Sequence, residues 1–571
     1  MPSAAPWLAH YDPGVPHSLE PYPDRILVDY LADAAREQPN APALLFKGAT
    51  ITYAQLERES DAFAAALTSL GVVRGDRIGL LLPNCPQFFV AEFGAWKIGA
   101  ILAPINPTYT ERELEGPIRE HGIETIVTLT RFYARVKAIQ RGTPLKRVIA
   151  ANIKQYFPPV LRVLFTLLRE RRDGDRVSLA PGDHDFAHLL LINRGHIPHR
   201  AALTPDAPAV LLLSGGTTGT PKGVVGSHGA YVHAGLQVQR WTESVLNPGD
   251  VILVPLPLFH VYANVGIQAL AFVSRNPMAI VPNPRDLADL IKTIARTKPA
   301  FFNGVPTLYA ALLNHPDVQA GKIDFRSMKI CFSGASALLA ETKRRFEALT
   351  GARIVEGYSL TEGMMALCVN PVRGANKPGS VGMPLPDVHI RIFDAEGGTR
   401  LAAVKEIGEI AIAAPQLMLG FWNRPDETAD ALRDHVVDGV AGRWLHTGDL
   451  GYLDEDGYLF IVDRKKDLIK TSGFQVWPRE VEEVLAAHPS IAEVGVAGVP
   501  DDAKGERVQA WVVLRASCTS SEAELRTFCR ERLAPYKVPS RIAFRTELPK
   551  SLVGKVLRRA LREDSSCAPS A

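Results

Sequence analysis

The sequence predicts an α/β protein: a large N-terminal part of several subdomains with parallel or mixed sheets, then a small α+β C-terminal part. Three observations predict it. The chain has 571 residues, beyond the roughly 250–300 at which a single hydrophobic core stops growing. Apolar, β-branched or leucine-rich runs alternate with helix-like stretches over most of its length. The pattern then changes past the charged cluster Asp463-Arg464-Lys465-Lys466-Asp467.

In chain order, residues 53–70 read as a helix and 77–82 as a strand. Strands follow at 209–213 and 251–255, a helix at 284–297, a strand at 328–332, a helix at 340–349 and a strand at 353–356. The strand candidates end in glycine or turn residues and do not alternate apolar with polar, which suits parallel strands covered on both faces. Beyond the charged cluster, a helix at 478–487, strands at 493–498 and 508–514, and a helix at 521–533 form a compact unit of domain size. The boundary is placed between 1–463 and 464–571. No internal repeat or low-complexity segment interrupts the pattern. The segment from Ile153 to Arg172, IKQYFPPVLRVLFTLLRERR, reads after Pro158-Pro159 as a basic amphipathic helix. Two readings stay open for it: packing on the protein's own surface, or contact with a membrane surface.

Composition bounds the function. With 46% apolar and 22% charged residues the chain is an ordinary globular protein, and a net charge of +3 gives no electrostatic case for a nucleic-acid partner. Cys85, Cys331, Cys368, Cys518, Cys529 and Cys567 include no CxxC pair and no zinc spacing, so they read as idle thiols in a reducing compartment. Met1 to Pro16 lacks a basic start followed by an apolar run, so no signal peptide is expected. The apolar stretch 90–105 is interrupted by Glu92 and Lys97, so no membrane span is expected. A cytoplasmic location follows, with peripheral contact at the inner face of the membrane left open.

The strongest chemical signal is Leu213-Ser214-Gly215-Gly216-Thr217-Thr218-Gly219-Thr220-Pro221-Lys222-Gly223, placed where an apolar strand ends. Glycines let the backbone turn tightly and bring N–H groups to an anion; Ser214, Thr217 and Thr218 add hydroxyls, and Lys222 a charge suited to phosphate. The loop contains neither GxxxxGK[ST] nor GxGxxG, which speaks against a P-loop ATPase, a kinase or a dinucleotide dehydrogenase.

From Gly216 to Gly223 this loop resembles the phosphate loop of the adenylate-forming enzymes, the family of acyl-CoA synthetases, aryl-CoA ligases, luciferases and peptide-synthetase adenylation domains. It departs at Gly215, where a serine or threonine is common; the backbone cradle is unaffected. The resemblance extends along nearly the whole chain. Pro257-Leu258-Phe259-His260-Val261-Tyr262 is similar to a segment whose histidine lies beside the substrate carboxylate, followed by residues that line the acid pocket. Phe332-Ser333-Gly334-Ala335-Ser336 and Glu356-Gly357-Tyr358-Ser359-Leu360-Thr361-Glu362 resemble adenine- and magnesium-binding turns. Tyr358 offers a flat face to a purine, Thr361 a hydroxyl to the α-phosphate, and Glu362, with Thr218, oxygen ligands of the kind Mg²⁺ prefers. Ser359 stands where the family usually has glycine.

The resemblance also implies that Asp449, in Trp444-Leu445-His446-Thr447-Gly448-Asp449, accepts the ribose hydroxyls and that Arg464 reaches the nucleotide. Lys466 matches the hinge about which the small domain turns; Lys470, Ser472 and Gly473 match the face that meets the CoA tunnel after rotation. Lys555, in Pro549-Lys550-Ser551-Leu552-Val553-Gly554-Lys555, matches the catalytic lysine that bridges carboxylate and α-phosphate. At about 4 Å and an effective dielectric near 20, such a pair of charges interacts by roughly 4 kcal/mol.

The activity this implies joins a carboxylic acid to ATP as an acyl-adenylate and transfers the acyl group to the thiol of CoA, with Mg²⁺ as cofactor and no protein nucleophile. The pocket candidates His260, Val261, Tyr262, Ala263, Gly304 and Ala335 are mostly small or apolar, without a charge to grip a polar acid. Together with the segments 304–309, 379–386 and 473–480, they resemble the long-chain fatty acid branch, so a long- or medium-chain fatty acid is the expected substrate. An aryl acid of the coumarate type, or transfer to a carrier protein in place of CoA, are the alternatives. Asn264 stands where some long-chain relatives have a gating tryptophan, so that gate does not carry over. The oligomeric state stays open, a homodimer included.

Overall fold

The computed structural model describes residues 5–214, 222–336, 338–394, 400–437, 439–471, 474–501, 505–515, 518–550 and 556–566. Four sheets carry the architecture. The first has eight strands, in the order Gly420–Phe421, Lys222–Ser227, Pro208–Ser214, Ile101–Pro104, Arg77–Leu81, Thr125–Leu129, Arg147–Ala151 and His184–Asp185. It is parallel from Pro208–Ser214 to its last strand, and only the hairpin to Lys222–Ser227 and the Gly420–Phe421 edge are antiparallel. The second has nine strands and is parallel from Pro42–Phe46 through Met278–Ile280, Ile252–Val254, Phe301–Gly304 and Ile330–Ser333 to Arg353–Leu360. A wholly antiparallel sheet follows, of His389–Phe393, Gly408–Ala413, Val440–Leu453, Leu432–Val437 and Leu459–Arg464. The smaller C-terminal domain is built on Ile491–Asp501 and Gly505–Leu514, with Ile469–Thr471, Phe474–Val476 and Arg541–Phe544 beside them.

The expected elements are found, with shifted ends. The helix Tyr53–Ser69 starts where Thr52 accepts the Gln55 N–H, an N-cap worth about 1 kcal/mol. The helix expected from 284 is Leu287–Thr297, because Asp286 caps it by accepting from the Asp289 N–H. The strand expected at 353–356 runs to Leu360, since its second half pairs antiparallel with Met365–Val369. Within the segment from Ile153 to Arg172 the helix expected after Pro158-Pro159 is present, and it ends at Leu168. A 3₁₀ turn, Ile153–Tyr156, precedes the helix Pro159–Leu168, because a proline ring disfavours helical backbone in the residue before it and suits the first helical position itself.

The helix Pro86–Lys97 shows how charges sit in an apolar run. All twelve of its residues are buried. Gly94 lets it approach Tyr53–Ser69 so closely that a Cβ there would lie 2.8 Å from the Phe63 ring. Lys97 is met by Glu57 at 2.9 Å and Asp61 at 2.7 Å, which offsets the cost of its burial. Trp96 is fully buried, and its indole N–H donates to the Ala209 carbonyl at 3.0 Å, joining this helix to the first sheet. Among the described residues no helix is long and apolar enough to cross a membrane. The five described cysteines are free, and burial pushes the Cys85 thiol up to about 12.

Candidate functional site

The second sheet gathers the acyl and adenine motifs at one level. Gly304, Ser333 and Glu356 are neighbours in register across three parallel strands. His260, Val261, Tyr262 and Ala263 follow the strand Ile252–Val254, Gly304 ends Phe301–Gly304, and Gly334, Ala335 and Ser336 follow Ile330–Ser333. Glu356, Gly357 and Tyr358 lie on Arg353–Leu360, with Thr361 and Glu362 just beyond it. All therefore cluster at the carboxyl ends of parallel strands, where open α/β sheets bind ligands.

Close approaches explain the small residues here. A Cβ on Gly334 would meet the Tyr262 ring at 3.3 Å, and one on Gly304 would meet the Tyr309 ring at 2.9 Å. Ala335 holds φ +69, the left-handed region that L side chains rarely enter; such a residue in a binding turn costs on the order of 1 kcal/mol or more. Val261, Tyr262 and Ala263 are buried. The His260 Nδ1 accepts the Tyr262 N–H at 3.3 Å, which turns the ring back on its own segment.

The first sheet contributes Ser214 and Lys222, opposite each other at the end of the Pro208–Ser214 and Lys222–Ser227 hairpin. Gly215, Gly216, Thr217, Thr218 and Gly219 lie outside the described residues. The Lys222 ammonium pairs with Glu427 and stands 5.0 Å over the Phe421 ring. Lys222, followed by Arg424, holds the Glu427 carboxyl below the usual range. Lys222 and Glu362 line one cavity of about 260 Å³, together with Glu427, Asp430, His446 and Thr447. Residues far apart in sequence thus bring a cation and carboxylates to one space, while the Thr447 hydroxyl donates to the Ile410 carbonyl at 2.8 Å.

Asp449 is buried, and among the described residues each of its carboxylate oxygens has one side-chain partner. The Tyr358 hydroxyl donates to Oδ2 at 2.6 Å, and the Arg464 Nε lies 3.1 Å from Oδ1. Asp449 and Arg464 face each other across adjacent strands, which sets this geometry. A carboxylate oxygen has two lone-pair sites, so each retains one acceptor position. Behind it, Glu409 accepts the Gly448 N–H at 3.2 Å and lies 3.5 Å from the Lys465 ammonium. Burial pushes the Glu409 carboxyl up, but His446, Lys465 and that N–H together hold it down. His435 and His446 share a hydrogen bond between their Nε2 atoms at 2.9 Å.

In the C-terminal domain, Lys466 lies in the 3₁₀ turn Lys465–Asp467. Lys470 is exposed, and its backbone N–H donates to Glu506 at 2.8 Å. Ser472, Gly473 and Lys555 lie outside the described residues. Sequence reasoning missed Glu427 and Asp430, which carry no motif. It passed over His446 and Thr447, although both stand inside the segment that supplied Asp449 and could have been found there.

The AMP-binding enzyme family matches residues 31–422, and the AMP-binding enzyme C-terminal domain matches residues 480–555. The chain is 38% identical over 567 residues to a long-chain-fatty-acid–CoA ligase of Bacillus subtilis (strain 168), covering 99% of each chain. It is 34% identical over 570 residues to a long-chain-fatty-acid–CoA ligase of Escherichia coli O157:H7, covering 98% of each. In structure it is similar to the anthranilate CoA ligase AuaEII in complex with anthranoyl-AMP, with a TM-score of 0.82 and 26% identity over 95% of this chain and 98% of that one. The fold, the strand-end placement of the motifs and near full-length matches agree: the chain belongs to the AMP-binding enzyme family.

Proposed function

We propose that this enzyme is a long- or medium-chain fatty acid–CoA ligase, which converts fatty acid, ATP and CoA into acyl-CoA, AMP and pyrophosphate through an acyl-adenylate. The observation that carries the chemistry is the meeting of Lys222 and Glu362 around one cavity. The near full-length similarity to two fatty acid–CoA ligases supports the substrate.

A carboxylate is a poor acyl donor, because its leaving group would be oxide. Attack on the α-phosphate, with loss of pyrophosphate, gives a mixed anhydride whose leaving group is AMP. The step joins two anions, so catalysis rests on charge neutralisation and positioning. Lys222 leaves Glu427 for the phosphates. Lys555 spans carboxylate and α-phosphate, Thr361 bonds the α-phosphate, and His260 lies beside the acid. Asp449, steadied by Tyr358 and Arg464, takes the ribose hydroxyls. The Glu362 carboxylate on the cavity, with the Thr218 hydroxyl, fits the oxygen donors Mg²⁺ prefers. Bound there, Mg²⁺ supplies positive charge to the phosphates.

In the second step the CoA thiolate attacks the adenylate carbonyl. Residues 464–571 turn about Lys466, so that Lys555 serves the first step and the Lys470, Ser472 and Gly473 face serves the second. The protein also touches membranes. On Pro159–Leu168, Leu161 and Phe165 pack on the core, while Val160, Val163, Leu164, Leu167 and Leu168 are exposed beside Arg162, Arg169, Arg171 and Arg172. Such a face suits an anionic lipid surface, in which the fatty acid itself dissolves.

Exchange of labelled pyrophosphate into ATP tests the first step. Exchange that requires a fatty acid and Mg²⁺ but not CoA is expected; exchange indifferent to the acid contradicts the proposal.

A further inference from the structure

Lys97 has its carboxylates, but Glu92 on the same buried helix has no cation. Among the described residues no basic side chain pairs with it. Its Oε1 accepts an N–H from the Asn264 amide at 3.1 Å, and its Oε2 accepts one from the Gln268 amide. The Tyr231 hydroxyl donates to the Asn264 Oδ1. Glu92, Asn264 and Gln268 are fully buried, and Tyr231 is 1% exposed. Burial pushes the Glu92 carboxyl up to about 8, although both amides favour its charged form. A buried carboxyl without a cation is costly, so the question is what it holds in place.

It holds a π-helix. Asn264 lies within the π-helical segment Tyr262–Ile267, and Gln268 is the first residue of the helix that continues it. A π turn is wider than an α turn and persists where its surroundings impose it, commonly beside functional sites. The opposite flank of this segment faces the strand ends: the Tyr262 ring abuts Gly334, and Gly266 lies against Met365 so closely that a Cβ would meet its sulfur at 2.3 Å. The segment is therefore clamped, with side-chain packing at the pocket and a four-member hydrogen-bond chain behind it. Asn264 cannot turn its amide round, because its oxygen already takes the Tyr231 hydroxyl.

We propose that Glu92 is a positioning residue, and that the chain Tyr231–Asn264–Glu92–Gln268 pins the π-helical wall of the acyl pocket and thereby sets which acyl lengths fit. This rests on the reading of Val261, Tyr262 and Ala263 as pocket wall.

The test removes the acceptors and then restores them. Glu92→Leu takes away both carboxyl oxygens and leaves the Asn264 and Gln268 amides unpaired in the core. Glu92→Gln is the conservative rescue: its oxygen accepts from Asn264, and its amide donates to the Gln268 Oε1, which has no partner among the described residues and can turn to meet it. Two readouts are taken on each protein: backbone amide exchange across residues 262–268, and the ratio of kcat/KM for palmitate to that for hexanoate. Glu92→Leu is expected to speed amide exchange and to change the palmitate-to-hexanoate ratio by about tenfold, the size of effect one methylene has in an apolar pocket. Glu92→Gln should keep both within about threefold of wild type. Unchanged exchange and ratio in Glu92→Leu, or a Glu92→Gln that departs as far as Glu92→Leu, overturns the proposal. A wild-type enzyme that uses neither acid sinks the fatty acid reading instead, and amide exchange then decides alone whether Glu92 pins the turn.

Discussion

In the proposed mechanism Asp449, Lys222 and Lys555 divide the nucleotide chemistry among three kinds of contact. Asp449 is held by Tyr358 and Arg464 before any ligand arrives, so its geometry is set in advance. Lys222 is instead engaged by Glu427 and, in that mechanism, changes partners. Glu427→Gln should therefore lower the KM for ATP by about two- to fivefold with little change in kcat, the scale of a partly exposed ion pair; steady-state kinetics with ATP varied checks it, and a raised KM would contradict it. Lys555→Ala should slow adenylation by about 10²- to 10⁴-fold, as loss of a preorganised charge does. Thioester formation from preformed acyl-adenylate should be much less affected; equal loss of both half-reactions would remove the division of labour. Asp449 and Arg464 were singled out by family resemblance, and the fold sets them opposite each other on adjacent strands. Glu427 was not: it is one carboxylate in a polar stretch, and only the fold brings it to Lys222.

At the scale of elements, buried helices and strand ends decide most. Glu92, inside Pro86–Lys97, has an ordinary value near 4.5 and is pushed up to about 8 by burial. The folded protein thus holds one more proton than the unfolded chain between those values, so stability falls as pH rises through that window. The slope of this component is at most about 1.4 kcal/mol per pH unit. Denaturant unfolding of wild type and Glu92→Gln across the window checks it, and identical slopes would contradict it. The exposed face of Pro159–Leu168 makes a second prediction. Leu164→Glu with Leu167→Glu should abolish sedimentation with phosphatidylserine vesicles and leave soluble-substrate kinetics unchanged; persistent sedimentation would assign that face another role. The helix was legible from its leucines and arginines, and its start from Pro158 and Pro159; its end at Leu168, short of Arg172, was not. The strand Arg353–Leu360 read short, because Gly357, Tyr358 and Ser359 look like a turn until Met365–Val369 pairs with them.

On the proposed division, a large N-terminal domain joins a small one through the turn at Lys465–Asp467. Arg558 crosses this junction, 2.8 Å from Asp463, 3.2 Å from Asp467 and 2.9 Å from Glu482. The proposed rotation about Lys466 has to rearrange contacts of this kind. Lys466→Pro should slow thioester formation more than adenylation, and an unchanged ratio of the two half-reactions would take Lys466 out of the hinge. Alternating strands and helices made the two parallel sheets legible. The antiparallel sheet from His389 to Arg464 was not, since strands such as Leu432–Val437, with charged Arg433 and Asp434 exposed, look like loop. The measurement that tests the central claim most directly is acyl-CoA and pyrophosphate formed with ATP, Mg²⁺ and CoA from acetate, decanoate, palmitate and coumarate. The account predicts a maximum at a medium or long aliphatic acid, with the CoA thioester as product. A maximum at coumarate, or acyl-adenylate that accumulates without thioester, would contradict it.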